Sequence, residues 1–115
     1  MAYIDVARKY ANKSRMGYKL AAIVVKGGNI RGVGFNHYSK SAFPKSIHAE
    51  IAAIQDAGDG VNNSTLWIFR FCRNGNLGLA KSCKSCVNQL SEAGVKEIVY
   101  STGTGFERMK IGGPK

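Results

Sequence analysis

Two short stretches hold the residues best suited to chemistry. His48 and Glu50 stand two apart in "SIHAEIAAI" (46–54), at the front of an otherwise apolar helical pattern. Cys83 and Cys86 form a C-x-x-C in "SCKSCVNQL" (82–90). One imidazole nitrogen and two thiolates make a donor set that suits zinc. Cys83 and Cys86, three apart at a helix start, share one face. A structural zinc site wants four protein ligands, and the fourth would have to be Cys72, His37 or an acid. Three ligands with one position left for water is the catalytic pattern. Zinc lowers the pKa of such a water from 15.7 to about 7. A carboxylate beside that water, not itself a ligand, can take its proton and pass it on. Glu50 fits this role only where the first helical turn begins, because i,i+2 residues diverge along a regular helix.

Taken singly, each residue has an ordinary explanation. The cysteines could be inert core thiols, His48 a capping or surface residue, and Glu50 a partner for the helix dipole. The combination is harder to dismiss. Both groups open helices, and a helix N-terminus favours the thiolates that zinc requires. Two thiolates and Zn²⁺ sum to zero, so the group can be buried without an unpaired ion.

The elements that must position these residues follow from hydrophobic period. Tyr3, Val6, Ala7, Tyr10 and Ala11 form one helical stripe. "KLAAIVV" and "IRGVGF" read as strands joined by "KGGN", a hairpin. A loop (36–46) carrying Pro44 leads to a helix from His48 to about Ala57. "TLWIFRF" is a strand rich in aromatic and β-branched residues. A loop then leads to a helix over 83–94, with Gly94 as its C′ residue. "VKEIVYS" is a further strand, and the tail from 102 has room for one more. The order α-β-β-α-β-α-β predicts an α/β fold of three layers. Its mixed sheet starts with a hairpin, carries helices on both faces, and has parallel strands after the second and third helices. With 115 residues and no internal linker, a single domain over 1–115 is expected.

Composition bounds the partners. Net charge is +10. Residues 1–45 hold Arg8, Lys9, Lys13, Arg15, Lys19, Lys26, Arg31, Lys40 and Lys45 against one acid, Asp5. Such a half suits an anionic partner such as phosphate, nucleotide or nucleic acid, or else simply a solvated face. No apolar run is long enough to span a bilayer, and the N-terminus lacks a secretory apolar region. The expectation is a cytoplasmic protein with no membrane partner. Three cysteines without a secretory signal argue against a disulfide framework.

H-x-E at one helix start and C-x-x-C at the next resembles the zinc-dependent cytidine/deoxycytidylate deaminase superfamily, whose signature is H-x-E…P-C-x-x-C. Here it reads "HAE" at 48–50 and "SCKSC" at 82–86, and the order of elements agrees along nearly the whole chain. The resemblance implies one Zn²⁺ per chain on His48, Cys83 and Cys86, with Glu50 as proton shuttle. It implies attack of zinc hydroxide on C4 of cytosine, or C6 of adenine, with loss of ammonia. It also implies that the backbone N–H of Ala49 binds the base carbonyl and that Asn36, in "GFN", contacts base or sugar, with His37 lining the same pocket. Assembly into a homo-oligomer is common in the superfamily. Two positions depart from the pattern: Ser82 stands where proline usually precedes the first cysteine, and Ala52 stands where many deoxycytidylate deaminases have asparagine.

The family position of the pocket predicts three bordering segments, 12–19, 36–46 and 101–106. The first two carry Lys13, Arg15, Lys19, Lys40 and Lys45 with Tyr18, Tyr38 and Phe43. Cations interleaved with aromatics suit base stacking beside phosphate. The first expectation is therefore deamination of a free cytosine nucleotide of CMP or dCMP type. The alternatives are cytosine or adenine deamination in single-stranded DNA or RNA, and a non-catalytic, zinc-stabilised nucleic-acid-binding module. An intact Glu50 argues against the last.

Overall fold

The computed structural model describes residues 3–39 and 46–112. Helix α1 (Tyr3–Ala11) precedes the hairpin of β1 (Lys19–Lys26) and β2 (Asn29–Phe35). Short strands β3 (His37–Tyr38) and β4 (Ser46–Ile47) pair with each other ahead of α2 (Ala49–Ala57) and a 3₁₀ turn, Gly58–Val61. Then come β5 (Ser64–Phe71), β6 (Leu77–Gly78), α3 (Lys84–Ala93), β7 (Val95–Ser101) and β8 (Phe106–Lys110). The main sheet runs β2-β1-β5-β7-β8, with β6 pairing to the end of β5. Only β5 and β7 are parallel. The expected mixed α/β sheet with a leading hairpin and helices on both faces is present. Pro44, Lys40, Phe43 and Lys45 lie outside the described residues.

The period-2 pattern of β1 divides the core. Ala21, Ile23 and Val25 face α1 and pack with Ala7, Ala11, Phe69 and Phe71. Ala22 and Val24 face the other way, into a core with Leu66, Ile68, Leu90, Ile98 and two α2 alanines, Ala49 and Ala53. Leu66, Ile68, Leu90 and Ile98 are fully buried. Each contributes roughly 1.5–3 kcal/mol of transfer free energy. The stripe expected of α1 is the face it buries, with Tyr3, Val6 and Tyr10 packed around the two alanines.

Two turns are set by glycine. Gly27 and Gly28, with φ of 59° and 77°, link β1 to β2 as a two-residue turn, the type I′ geometry that matches strand twist. Gly94 ends α3 in the left-handed conformation, as expected, and its N–H reaches the carbonyls of Leu90 and Ser91.

Helix α2 lies almost on the backbone of β2. A Cβ on Gly34 would sit 2.6 Å from the Ala49 carbonyl oxygen and closer still to the Ala53 nitrogen. On Gly32 it would sit 2.6 Å from the Ala53 carbonyl oxygen. The Asp56 carboxylate accepts the Val33 N–H at 2.9 Å and ties the same helix to the outer strand. Glycine in β2 and alanine in α2 thus fix the height of the helix start that carries His48 and Glu50. Among the described residues no helix is long and apolar enough to cross a membrane.

Because the obstacles at Gly34 are backbone atoms, Gly34→Ala should cost roughly 3 kcal/mol or more. Urea unfolding monitored by circular dichroism would show it as a lowered midpoint.

Candidate active site

His48 and Cys83 are the residues immediately preceding α2 and α3, both in extended conformation and neither bonding its own helix through its side chain. Their side chains are therefore free to turn toward each other. Cys86, one turn into α3, completes the group. His48 Nδ1 lies 2.9 Å from Cys86 Sγ and 3.9 Å from Cys83 Sγ. One donor atom from each of the three falls within 4.8 Å of the others. Zn–N near 2.0 Å and Zn–S near 2.3 Å at tetrahedral angles place nitrogen and sulfur roughly 3.5 Å apart. The two observed separations bracket that value, so the group fits one Zn²⁺.

Electrostatics points the same way. Cys86 is buried. Burial pushes its thiol far above the usual range, and the Glu50 carboxylate and Cys83 push it further. The protein atoms alone thus oppose a thiolate there. A dication reverses that balance, since a coordinating thiol is deprotonated outright.

The remaining candidates for a fourth ligand lie elsewhere. Cys72 is exposed at the end of β5. The ring of His37 bonds the Phe35 carbonyl through Nδ1 at 2.9 Å and packs on the Phe35 ring. No carboxylate belongs to the three-donor group among the described residues.

Glu50 is 4% exposed, and Ser82 Oγ donates to its Oε2 at 2.8 Å. Ser82 is itself buried. The residue that departs from the family proline therefore holds the carboxylate that the same motif needs. The sequence shows the substitution but not the bond, because the rest of α2, the 3₁₀ turn and strands β5 and β6 separate Glu50 from Ser82.

A cavity of about 160 Å³ opens over these groups, with Glu50, His48, Ala49 and Cys83 on one side and Met16, Tyr18, Leu20 and Ile47 on the other. That is below the roughly 300–1,000 Å³ of sites for drug-sized ligands. It suits a single ring more than a whole nucleotide. Ala49 is buried at the first position of α2, where backbone N–H groups have no intrahelical acceptor. Asn36 lines the cavity and is buried, but its amide is engaged: Oδ1 accepts Leu20 N–H at 2.9 Å and Nδ2 donates to the Tyr18 carbonyl at 2.9 Å. His37 does not line the cavity. Segment 101–106 does not reach it either; Ser101 instead braces β5 and β6 through the Arg70 N–H and the Gly78 carbonyl. Lys81, Met16, Leu20 and Ile47 line the cavity and were not singled out by the sequence, since nothing in their type or spacing marks them.

Residues 1–102 match the model of the cytidine and deoxycytidylate deaminase zinc-binding region. A search of curated protein sequences finds no match. Among solved structures, cytidine deaminase from Burkholderia pseudomallei aligns with a TM-score of 0.70 over 96% of this chain and 94% of its own, at 18% identity. dCMP deaminase from cyanophage S-TIM5 aligns at 0.64 over 87% and 79%, at 26% identity, and a structure of that enzyme holds dCMP and dUMP. RibD from Acinetobacter baumannii aligns at 0.59 with 21% identity over 87% of this chain, which spans only 27% of RibD.

Metal analysis of the purified protein should find about one zinc per chain, and far less in Cys86→Ala. Stripping the metal leaves Cys86 and Glu50 buried without a cation. The melting temperature should then fall by on the order of 10 °C, and zinc should restore it.

Proposed function

Since the chain belongs to the cytidine and deoxycytidylate deaminase family defined by its zinc-binding region, we propose that it hydrolyses the exocyclic amine of a cytosine base carried on a nucleotide. Water and cytosine give uracil and ammonia: a C4–O bond forms and the C4–N4 bond breaks. The observation that carries this reading is a buried carboxylate, Glu50, sharing one ring-sized cavity with His48 and Cys83.

His48, Cys83 and Cys86 would hold the zinc, which when bound supplies a hydroxide-level nucleophile at neutral pH. The chain's own residues do the rest. Glu50 takes one proton from the attacking water and gives it to the base nitrogen N3, then takes the second from the new C4 hydroxyl and gives it to the departing amine. Ser82 keeps the carboxylate aimed through the hydrogen bond that its hydroxyl donates to Oε2. The N–H of Ala49, at the positive end of α2, donates a hydrogen bond to the base carbonyl oxygen. Asn36 holds the Tyr18–Leu20 segment against the ring and keeps a second lone pair on Oδ1 for base or sugar. Met16, Leu20 and Ile47 exclude water around the ring. Because the cavity accommodates a ring, the sugar and phosphate remain outside it, where the chain is basic. This supports a cytosine carried on a sugar phosphate, as in CMP or dCMP, over the free base.

The test is incubation of zinc-loaded protein with cytidine, CMP, dCMP and a cytosine-bearing oligonucleotide, with uracil product and ammonia measured. Absence of product from every cytosine substrate would overturn the reading. Glu50→Gln should lower kcat by roughly 10²–10⁴-fold while retaining zinc. Ser82→Ala should lower kcat by about tenfold with KM little changed, because it frees the carboxylate to leave its reacting orientation. Ser82→Thr should recover most of that loss.

A further inference from the structure

A second, larger cleft lies beside the base cavity. Its volume is about 440 Å³, and Arg8, Lys19, Arg70 and Arg73 line it with Tyr18 and Phe71. No acidic side chain lines it. Among the described residues none of these four cations has a carboxylate partner; the one ion pair joins Arg108 to Glu97. Three of them are nonetheless held in place by neutral groups. Arg8 stacks 4.7 Å over the Phe71 ring and donates to the Gly75 carbonyl. Lys19 donates to the Ser14 carbonyl at 2.7 Å. Arg70 lies 5.9 Å from the centre of the Tyr18 ring. Such contacts orient a cation without cancelling its charge, and Arg keeps further N–H donors for an anion.

The strand register shows how the cleft runs. Lys19 pairs with Phe71, and Phe71 belongs to the core under α1. Leu20 pairs with Arg70, and Leu20 packs on the core under α2 and α3. Directly paired residues share a face. Arg70 and Tyr18 are therefore on the side of the base cavity, and Lys19 and Arg8 are on the far side of the sheet. The cleft wraps the sheet end where β1 starts and β5 finishes. Tyr18 is the residue it shares with the base cavity. A mononucleotide seated in that cavity has one phosphate group, which reaches the near side only. Cations continuing round the sheet end to α1 match successive phosphates of one chain.

We infer that this cleft binds the phosphodiester backbone of a single-stranded nucleic acid, whose cytosine enters the neighbouring cavity across Tyr18. The inference names the substrate class of the site proposed above and, for the deamination step alone, rests on that reading.

The test separates binding from chemistry. Twelve-residue oligo-dT and oligo-U probes, which contain no cytosine, report binding to the zinc-loaded protein by fluorescence anisotropy across a salt series. With three to four phosphates engaged, the logarithm of the binding constant should fall with that of salt at a slope of roughly −2 to −3. Arg8→Gln and Arg73→Gln should each weaken binding about fivefold at 0.1 M salt and flatten the slope by about 0.7. Arg73→Gln also serves if Arg8→Gln, which gives up the Phe71 contact, fails to fold. Preference for dT or U identifies the sugar, and either preference supports the inference. In turnover, both variants should lower the rate on a cytosine-bearing twelve-mer more than the rate on CMP. Oligomers that bind no tighter than CMP, or that bind the arginine variants as well as the parent, would overturn the inference even if CMP is deaminated. Salt-dependent, arginine-dependent binding without deamination of any cytosine would instead sink the proposed reaction and leave the cleft.

Discussion

A thiol with 3% exposure lies beside an imidazole, a second thiol and a buried carboxylate, and among the described residues no lysine or arginine forms an ion pair with that carboxylate. Such a cluster is unstable as a set of free ions. It becomes stable once a dication sits among the nitrogen and the two sulfurs, and much of the fold serves to bring them together. His48 comes from the residue before α2 and Cys83 from the residue before α3. The two helix starts meet because both helices pack on the same face of the sheet, over β1, β5 and β7. The parallel pairing of β5 and β7 forces α3 to cross back over that face.

The height of α2 is set from below by the absence of side chains at Gly32 and Gly34, and by small ones at Ala49 and Ala53. This is why an apolar helix front can contain Glu50 at all. The carboxylate is buried, yet it has the Ser82 hydroxyl and faces a cavity, so it is neither orphaned nor locked into a protein ion pair. The ring-sized dimensions of that cavity follow from the Asn36 amide, which bridges the Tyr18 carbonyl and the Leu20 N–H and so holds one wall to the end of β2.

Much of this was legible in the residues themselves. The 3.6 period of α1, the turn glycines after β1, the helix stop at Gly94 and the pairing of H-x-E with C-x-x-C each have a local physical cause. What was not legible depends on separation. Strands β3, β4 and β6 have two residues each, too few to show a period. The Ser82–Glu50 bond and the placement of His37 depend on which way a loop turns. Asn36 was expected to meet base or sugar, and its amide is bonded chiefly to backbone. The segment 101–106 was expected at the cavity and instead turns into β8 by a tight antiparallel hairpin. The basic character of the first 45 residues was plain from composition. The meeting of Arg8 and Lys19 with Arg70 and Arg73 at one end of the sheet was not, because the last two come from a different part of the chain.

The segment 16–20 is a wall one chain thick. Met16 and Leu20 belong to the cavity, Gly17 and Lys19 to the cleft, and Tyr18 to both. Alternation along this segment thus assigns neighbouring residues to different surfaces. Drift at 16 or 20 can reshape the cavity while leaving the cleft alone, and drift at 17 or 19 can do the reverse. Two specificities that touch in space are free to evolve apart, and Tyr18 is the one position where a change must satisfy both.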